Sequence, residues 1–373
     1  MTRILISGGA GFIGRHVTQL LISKSHEVVW LDNLDTQIHG EYEDIHNIRL
    51  HEQVKLIVGS VCEKEAWRQA IDGVDAIVHF AAQTGTGQSM YQIARYTDEN
   101  IGGTGVMWDV LANETHQVKK VLIASSRAIY GEGAYRCISK CGNVVPLPRS
   151  KAQLVRHQWS PVCPKCGADV EPIATPEDST PQPASLYAIT KLAQEQMSLT
   201  MGKALGISTI ALRFQNVFGS GQSLRNPYTG IISIFSNQMR QNLPINIYED
   251  GEETRDFILV NDVAKICELA LSSDYEALVL NVGSGLATKV IDLAYNLKYS
   301  WNSDSSIEIT GDSRVGDTRH NWADLRVLHK VFPDWQPTPL EVGLEKFVAW
   351  AATQEIYEDK SKIAAQELKQ RNL

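Results

Sequence analysis

Ile4-Leu5-Ile6-Ser7-Gly8-Gly9-Ala10-Gly11-Phe12-Ile13-Gly14-Arg15-His16-Val17 decides the fold. A short apolar run suited to a buried parallel strand meets glycines at 8, 11 and 14, and helical spacing follows from residue 15 to about 25. Glu27-Val-Val-Trp-Leu31 is a second strand, ending at Asp32. Strand, glycine turn, helix and strand make a βαβ unit. The glycines of Gly8-x-x-Gly11-x-x-Gly14 allow a tight turn, close backbone approach to a pyrophosphate, and close helix–strand packing. The helix start offers N–H donors and a positive dipole end to phosphates. A carboxylate at Asp32 can accept hydrogen bonds from both hydroxyls of an adenosine ribose and repels a 2′-phosphate, so NAD is expected rather than NADP.

Working outward, further apolar runs lie at 54–58, 76–80, 121–124 and 207–212, with helical segments between most of them. That alternation predicts an α/β fold with a doubly wound parallel Rossmann sheet. Residues 132–183 break the rhythm with Pro, Gly and Cys and are expected to be an insertion. The Rossmann domain is therefore expected over 1–131 and 184–221. A smaller C-terminal α/β lobe follows over 222–354, with some segments returning to the first domain. Leu340 to Ala351 has the pattern of a closing amphipathic helix, and the charged tail 355–373 is expected to fray.

Tyr187-Ala-Ile-Thr-Lys191 places a phenol and an ammonium on one helix face. Lys191 and a positive nicotinamide would both favour phenolate, making Tyr187 a general base. Ser125-Ser126-Arg127-Ala128-Ile129-Tyr130-Gly131 follows an apolar strand, whose carboxyl end faces the cofactor crevice in an open α/β sheet. Ser126, Tyr187 and Lys191 are the candidate catalytic trio.

Across nearly its whole length the chain resembles extended short-chain dehydrogenases/reductases of the nucleotide-sugar epimerase and dehydratase group. The matches are 8–14, Asp32-Asn33, His79-Phe80-Ala81-Ala82-Gln83, Asn100, 125–131, Tyr187-x-x-x-Lys191 and Arg213-Phe214-Gln215-Asn216. They continue through Arg255-Asp256-Phe257 with Val260 and Asp262, and Arg314-Val315-Gly316-Asp317. The resemblance implies that Ser126 and Tyr187 bind the sugar O4 and that Lys191 holds the nicotinamide ribose. It places Gly8, Gly11, Phe12, Ile13, Gly14, Asp32, Asn33, Ser60, Val61, Phe80, Ala81, Ala82, Gln83, Asn100, Ser125 and Phe214 at the cofactor. Ser60 departs from the family, which often has an acid there. Thr84, Arg127, Asn216, Tyr248, Arg255, Arg314 and Arg319 are the further substrate candidates. Tyr248 is set against the base; Asn216, Arg255 and Arg314 are set at the pyrophosphate, whose charge suits guanidinium.

Relatives that eliminate water carry an Asp-Glu acid–base pair directly after the catalytic Ser or Thr. Arg127 and Ala128 stand there instead, which argues against a dehydratase. Asp32 argues against an NADPH-exchanging reductase. The balance favours a redox-neutral 4-epimerase acting on a nucleotide-linked sugar. A narrower resemblance, carried by Tyr130-Gly-Glu-Gly-Ala-Tyr135, 215–224, Asn226-Pro-Tyr-Thr-Gly230 and Tyr248-Glu-Asp-Gly251, is to dTDP-L-rhamnose 4-epimerases. It implies interconversion of dTDP-L-rhamnose and dTDP-6-deoxy-L-talose. An NAD-linked nucleotide-sugar reductase or dehydrogenase, a UDP-hexose 4-epimerase and a non-catalytic binding module remain the alternatives.

Cys137-x-x-x-Cys141-Gly142 and Cys163-Pro-Lys-Cys166-Gly167 have the form of two zinc-ribbon knuckles, so a closed structural zinc is expected. Cys62 and Cys267 are isolated and expected to be buried. The formal charge of −8 over 373 residues argues against a nucleic-acid partner. No stretch has the apolar length of a membrane span. The N-terminus runs straight into the first strand, so a cytoplasmic protein is expected; a homodimer is expected as well.

Overall fold

The computed structural model describes residues 2–40, 54–226, 228, 230–314, 316–359, 367, 370 and 371. Pro227, Thr229 and Val315, which belong to the matching motifs above, lie outside the described residues, as does much of the tail. Seven strands form the central sheet: β1 (Arg3–Ser7), β2 (Glu27–Asp32), β3 (Val54–Val58), β4 (Ala76–His79), β5 (Lys120–Ser126), β6 (Ser208–Phe214) and β7 (Ala277–Val282). All neighbours run parallel, in the order β3-β2-β1-β4-β5-β6-β7. The strand order reverses between β1 and β4, which opens a crevice at the carboxyl ends of the strands.

Alternate side chains supply two cores. Ile4 and Ile6 of β1, with Val28 and Trp30 of β2, join one; Leu5, Val29 and Leu31 join the other. Helix α1 (Phe12–Ser23) and the helix Val260–Ser272 cover the first face. Helices Lys64–Ala70 and Gly103–Asn113 cover the second, together with Leu186–Leu205. Strands buried on both faces are apolar at consecutive positions, and the edge strand β3, with Leu56 and Val58 exposed, keeps an apolar run as well, so six of the seven were visible in the sequence. The seventh, β7, lies beyond residue 222, where the chain first builds part of the second lobe and then returns. The helix Val260–Ser272 and β7 therefore belong to the Rossmann sheet.

The second lobe has its own core, with Phe235, Ile247, Leu293 and Phe347. Its helices are Ile231–Met239, Val290–Trp301 and Leu340–Ala351. In the insertion, Tyr135–Cys137 pairs antiparallel with Asn143–Val144 on one side and Val170–Pro172 on the other. Tyr135, Cys137, Val144 and Cys163 make its small core.

Two expectations are corrected. Cys62 is exposed, on the turn after β3, with its thiol on the Asp98 carbonyl at 3.3 Å; Cys267 is buried as expected. The described part of the tail is docked on the body. Asn237 and Gln241 each donate to the Tyr357 carbonyl at 2.9 Å, and Glu367 accepts from the Tyr91 and Tyr228 hydroxyls at 2.8 and 3.0 Å. No helix among the described residues is long and apolar enough to cross a membrane.

Candidate active site

A cleft of about 1730 Å³ runs along the carboxyl ends of the strands and under the second lobe. At its cofactor end lie Gly8, Gly11, Phe12, Ile13 and Gly14. Gly8 has φ 72°, and a Cβ there would sit 2.8 Å from the Ala81 nitrogen; one on Gly14 would sit 2.5 Å from the Gly8 carbonyl. Only glycine lets α1 start this close to the strand ends. No side chain caps α1, so its first N–H groups stay available to an anion. The Asp32 carboxylate accepts from Ala10 N at 3.0 Å and Leu34 N at 2.9 Å, and it forms the cleft wall beside Asn33. This donor set fits a dinucleotide: N–H groups for the pyrophosphate and a fixed carboxylate for the ribose. Val61, Phe80, Ala81, Ala82, Gln83, Ser125 and Phe214 line the same cleft. Ser60 and Asn100 do not. The Ser60 hydroxyl accepts from Cys62 N at 3.1 Å inside its own turn. Asn100 is fully buried and braces Gln83, accepting from its N at 2.7 Å and donating to its carbonyl at 3.1 Å.

Ser126 ends β5, and Tyr187 and Lys191 lie one turn apart near the start of the helix Leu186–Leu205. Ser185 caps that helix, accepting from Ala188 N at 3.2 Å. All three trio residues line the cleft. The Ser126 oxygen accepts from Ala128 N at 3.1 Å, which leaves its proton for the Tyr187 oxygen. Burial pushes the Tyr187 phenol up, while the Ser126 hydrogen bond and the Arg127 charge draw it back. The expected tuning by Lys191 is corrected here: the Lys191 ammonium turns to Gln194 Oε1 at 2.7 Å. Burial brings Lys191 down to about 7, against the pull of Glu195.

Of the residues expected at the substrate, Thr84, Arg127, Asn216, Tyr248, Arg255 and Arg314 line the same cleft. Arg127 Nε donates to Asn216 Oδ1 at 3.3 Å, and burial together with the nearby Arg255 lowers its pKa to about 10. The Arg314 guanidinium stacks 4.6 Å from the Tyr248 ring centre and donates to its hydroxyl at 2.9 Å. Arg319 is corrected: it is buried outside the cleft wall, with two bonds to Asp250 at 2.6 and 2.8 Å and one to Glu249 at 3.0 Å. Its donors serve the fold.

Residues 4–152 and 160–283 match the profile of the NAD dependent epimerase/dehydratase family. The chain is 37% identical to a dTDP-L-rhamnose 4-epimerase of Burkholderia thailandensis, over 94% of this chain and 95% of that one. The chain belongs to the NAD dependent epimerase/dehydratase family. Among solved structures it is similar to the UDP-N-acetylglucosamine 4-epimerase of Methanobrevibacter ruminantium in complex with UDP-N-acetylmuramic acid. The TM-score is 0.76 at 28% identity, covering 95% of this chain and 99% of that one. It is equally similar to the UDP-glucose 4-epimerase of Thermotoga maritima with UDP-glucose, at TM-score 0.76 and 28% identity over 94% and 99% of the two chains.

Within this family member, the supports behind the trio were not legible in sequence. Gln194 passes the Lys191 contact to Thr104 at 2.8 Å, and Thr104 donates to the Asn100 carbonyl at 2.6 Å. His79 is held neutral by burial, down to about 3, between Ser7 at 2.6 Å and Thr104 at 3.0 Å. Ser125 donates to Glu195, which holds Arg213 at 2.6 and 3.0 Å. Only Gln194 carried a local signal, three residues after Lys191 on the same helix face.

The four expected cysteines converge: the sulfurs of Cys137, Cys141, Cys163 and Cys166 all lie within 4.8 Å of one another, with Cys137 and Cys166 at 3.6 Å. Desolvation raises the Cys163 thiol, but hydrogen bonds from the Lys165 and Cys166 backbone N–H groups and from the Cys137 and Cys166 thiols together hold it down, at about 7. Thiolates about 2.3 Å from one tetrahedral zinc stand about 3.8 Å apart, so this donor set fits that ion.

Proposed function

We propose that the protein is an NAD-dependent nucleotide-sugar 4-epimerase, and that its substrate pair is dTDP-L-rhamnose and dTDP-6-deoxy-L-talose. The observation that carries the reaction class is a complete Ser126–Tyr187–Lys191 trio followed by Arg127 and Ala128, neither of which can serve as an elimination acid or base. The full-length likeness to a dTDP-L-rhamnose 4-epimerase supports the sugar.

Bound NAD supplies a hydride acceptor that also returns the hydride. The chain's own residues do the rest. Tyr187, as phenolate, takes the proton of the sugar O4, and Ser126 holds that oxygen by its hydroxyl. Lys191, released from Gln194, would hold the nicotinamide ribose by its ammonium. Once the sugar has turned, Tyr187 would return the proton to O4. Arg255 and Arg314 hold the pyrophosphate while the sugar turns.

Incubation with dTDP-L-rhamnose should give a mixture with the C4 epimer, read from the H4 couplings by proton NMR. A UDP-hexose pair is the second reading, favoured by the UDP-sugar epimerases of like structure. Conversion of UDP-glucose alone would select it. We further infer one structural zinc on the four cysteines. Elemental analysis of protein prepared without chelator should find one zinc per chain, and its absence would remove the ion.

A further inference from the structure

The insertion reaches past its cysteines to the nucleotide end of the cleft. Arg149 is buried, and every branch of its guanidinium is tied to a different segment. Nε donates to Glu132 Oε1 at 3.1 Å; Nη1 donates to both Glu249 oxygens at 2.7 and 2.8 Å and to the Trp159 carbonyl at 3.0 Å; Nη2 donates to the Asp317 carbonyl at 2.8 Å. Arg319 completes the joint, binding Glu249 and Asp250 by its side chain and Glu132 by its N at 2.7 Å. One insertion side chain therefore fixes the segments just after Tyr248 and just after Arg314.

Glu249 makes that fixing necessary. It is a non-glycine residue at φ 50°, a conformation that persists only when its surroundings over-determine it. Its N donates to the Asp312 carbonyl at 2.8 Å, and its carboxylate is gripped by the two arginines. Tyr248, whose ring carries Arg314, immediately precedes it.

Lys151 stands two residues beyond Arg149, on the short helix Lys151–Val155, and lines the same cleft as Tyr248, Asp312 and Arg314. Just past that helix, the His157 ring lies 3.3 Å from the Cβ position of Gly311, which precedes Asp312. Lys151 is exposed, and its ammonium makes no ion pair with any described residue. An ammonium without an ion pair, on the same cleft as the stacked Arg314–Tyr248 pair, suits an anion.

We propose that the cysteine insertion forms a third wall of the nucleotide pocket. Arg149 is a positioning residue that sets the Tyr248 and Arg314 segments, and Lys151 meets the bound nucleoside diphosphate directly. The inference rests on the nucleotide-sugar reading but not on the identity of the sugar.

Titration of the full-length, zinc-loaded protein with dTDP and with UDP, by calorimetry at low and high salt, tests it. Lys151→Ala should weaken binding about tenfold at low salt and less at high salt, with NAD content and melting temperature unchanged. Arg149→Lys, which cannot reproduce the fork, should weaken nucleotide binding and raise KM more than it lowers kcat, with NAD retained. Wild-type binding matched by both variants would overturn this proposal alone. Should Arg149→Lys fail to fold, unchanged affinity in Lys151→Ala still overturns the direct contact. Wild-type protein that binds neither nucleotide would overturn the nucleotide-sugar reading and this inference with it.

Discussion

The charge beside the Tyr187 phenol comes from Arg127. Burial opposes phenolate, and Ser126 and Arg127 favour it. Removing the guanidinium should raise the phenol pKa, so that the base-competent form appears only at higher pH. Arg127→Met is therefore expected to move the rising limb of the pH profile of kcat/KM to higher pH; an unmoved limb would take Arg127 out of the tuning. Tyr187→Phe should lose about 10²–10⁴ in turnover while nucleotide binding persists. Lys191 carries a stability consequence. Its folded pKa of about 7 lies below the ordinary 10.5, so between those values the unfolded chain binds the proton that the folded chain releases. Its contribution to stability thus rises with pH across that window and is least favourable below it. Without NAD, Lys191→Met should gain melting temperature relative to wild type at pH 6.5 compared with pH 9.5. A pH-independent difference would contradict the burial of a charged amine. At this scale the sequence showed what is local: the glycines of 8–14, Asp32, and the Tyr187–Lys191 spacing. Gln194 left only its helical spacing from Lys191, and Glu195 and Arg213 did not show as supports, because their pairing with each other and Ser125 depends on helix Leu186–Leu205 crossing β5 and β6.

Among the elements, the proposed zinc would couple the insertion to the site. Its sheet is two or three residues per strand, and its core is four buried residues. So little apolar area gives a segment of this length a weak drive to order, and the proposed zinc would supply folding free energy directly. Cys163→Ser should lower zinc content and melting temperature and weaken dTDP binding, while NAD binding at 8–14 and Asp32 survives. Equal loss of both ligands would show a collapse of the whole chain instead. The knuckles were legible because a tetrahedral thiolate site demands closely paired cysteines on tight turns. Arg149 was not, since its partners lie as far off as Glu249 and Asp317. Arg319 was misplaced for the related reason that a guanidinium suits phosphate and carboxylate alike, and only the fold reveals Asp250 and Glu249 beside it. β7 escaped notice because it returns to the sheet from inside the second lobe.

For the whole molecule, the sheet order puts the cofactor glycines, the trio and the arginines of the second lobe on one cleft. Under the proposed function, a cofactor held across the cycle and a sugar free to turn above it would make one reaction: oxidation at C4 followed by return of the same hydride to the other face. That claim is tested most directly by dTDP-L-rhamnose carrying deuterium at C4, incubated without added NADH and followed by NMR. The expected result is a C4-epimeric product that keeps the deuterium at C4, with no net absorbance change near ~340 nm, the NADH band. Deuterium lost to solvent, or NADH accumulating in step with product, would contradict it.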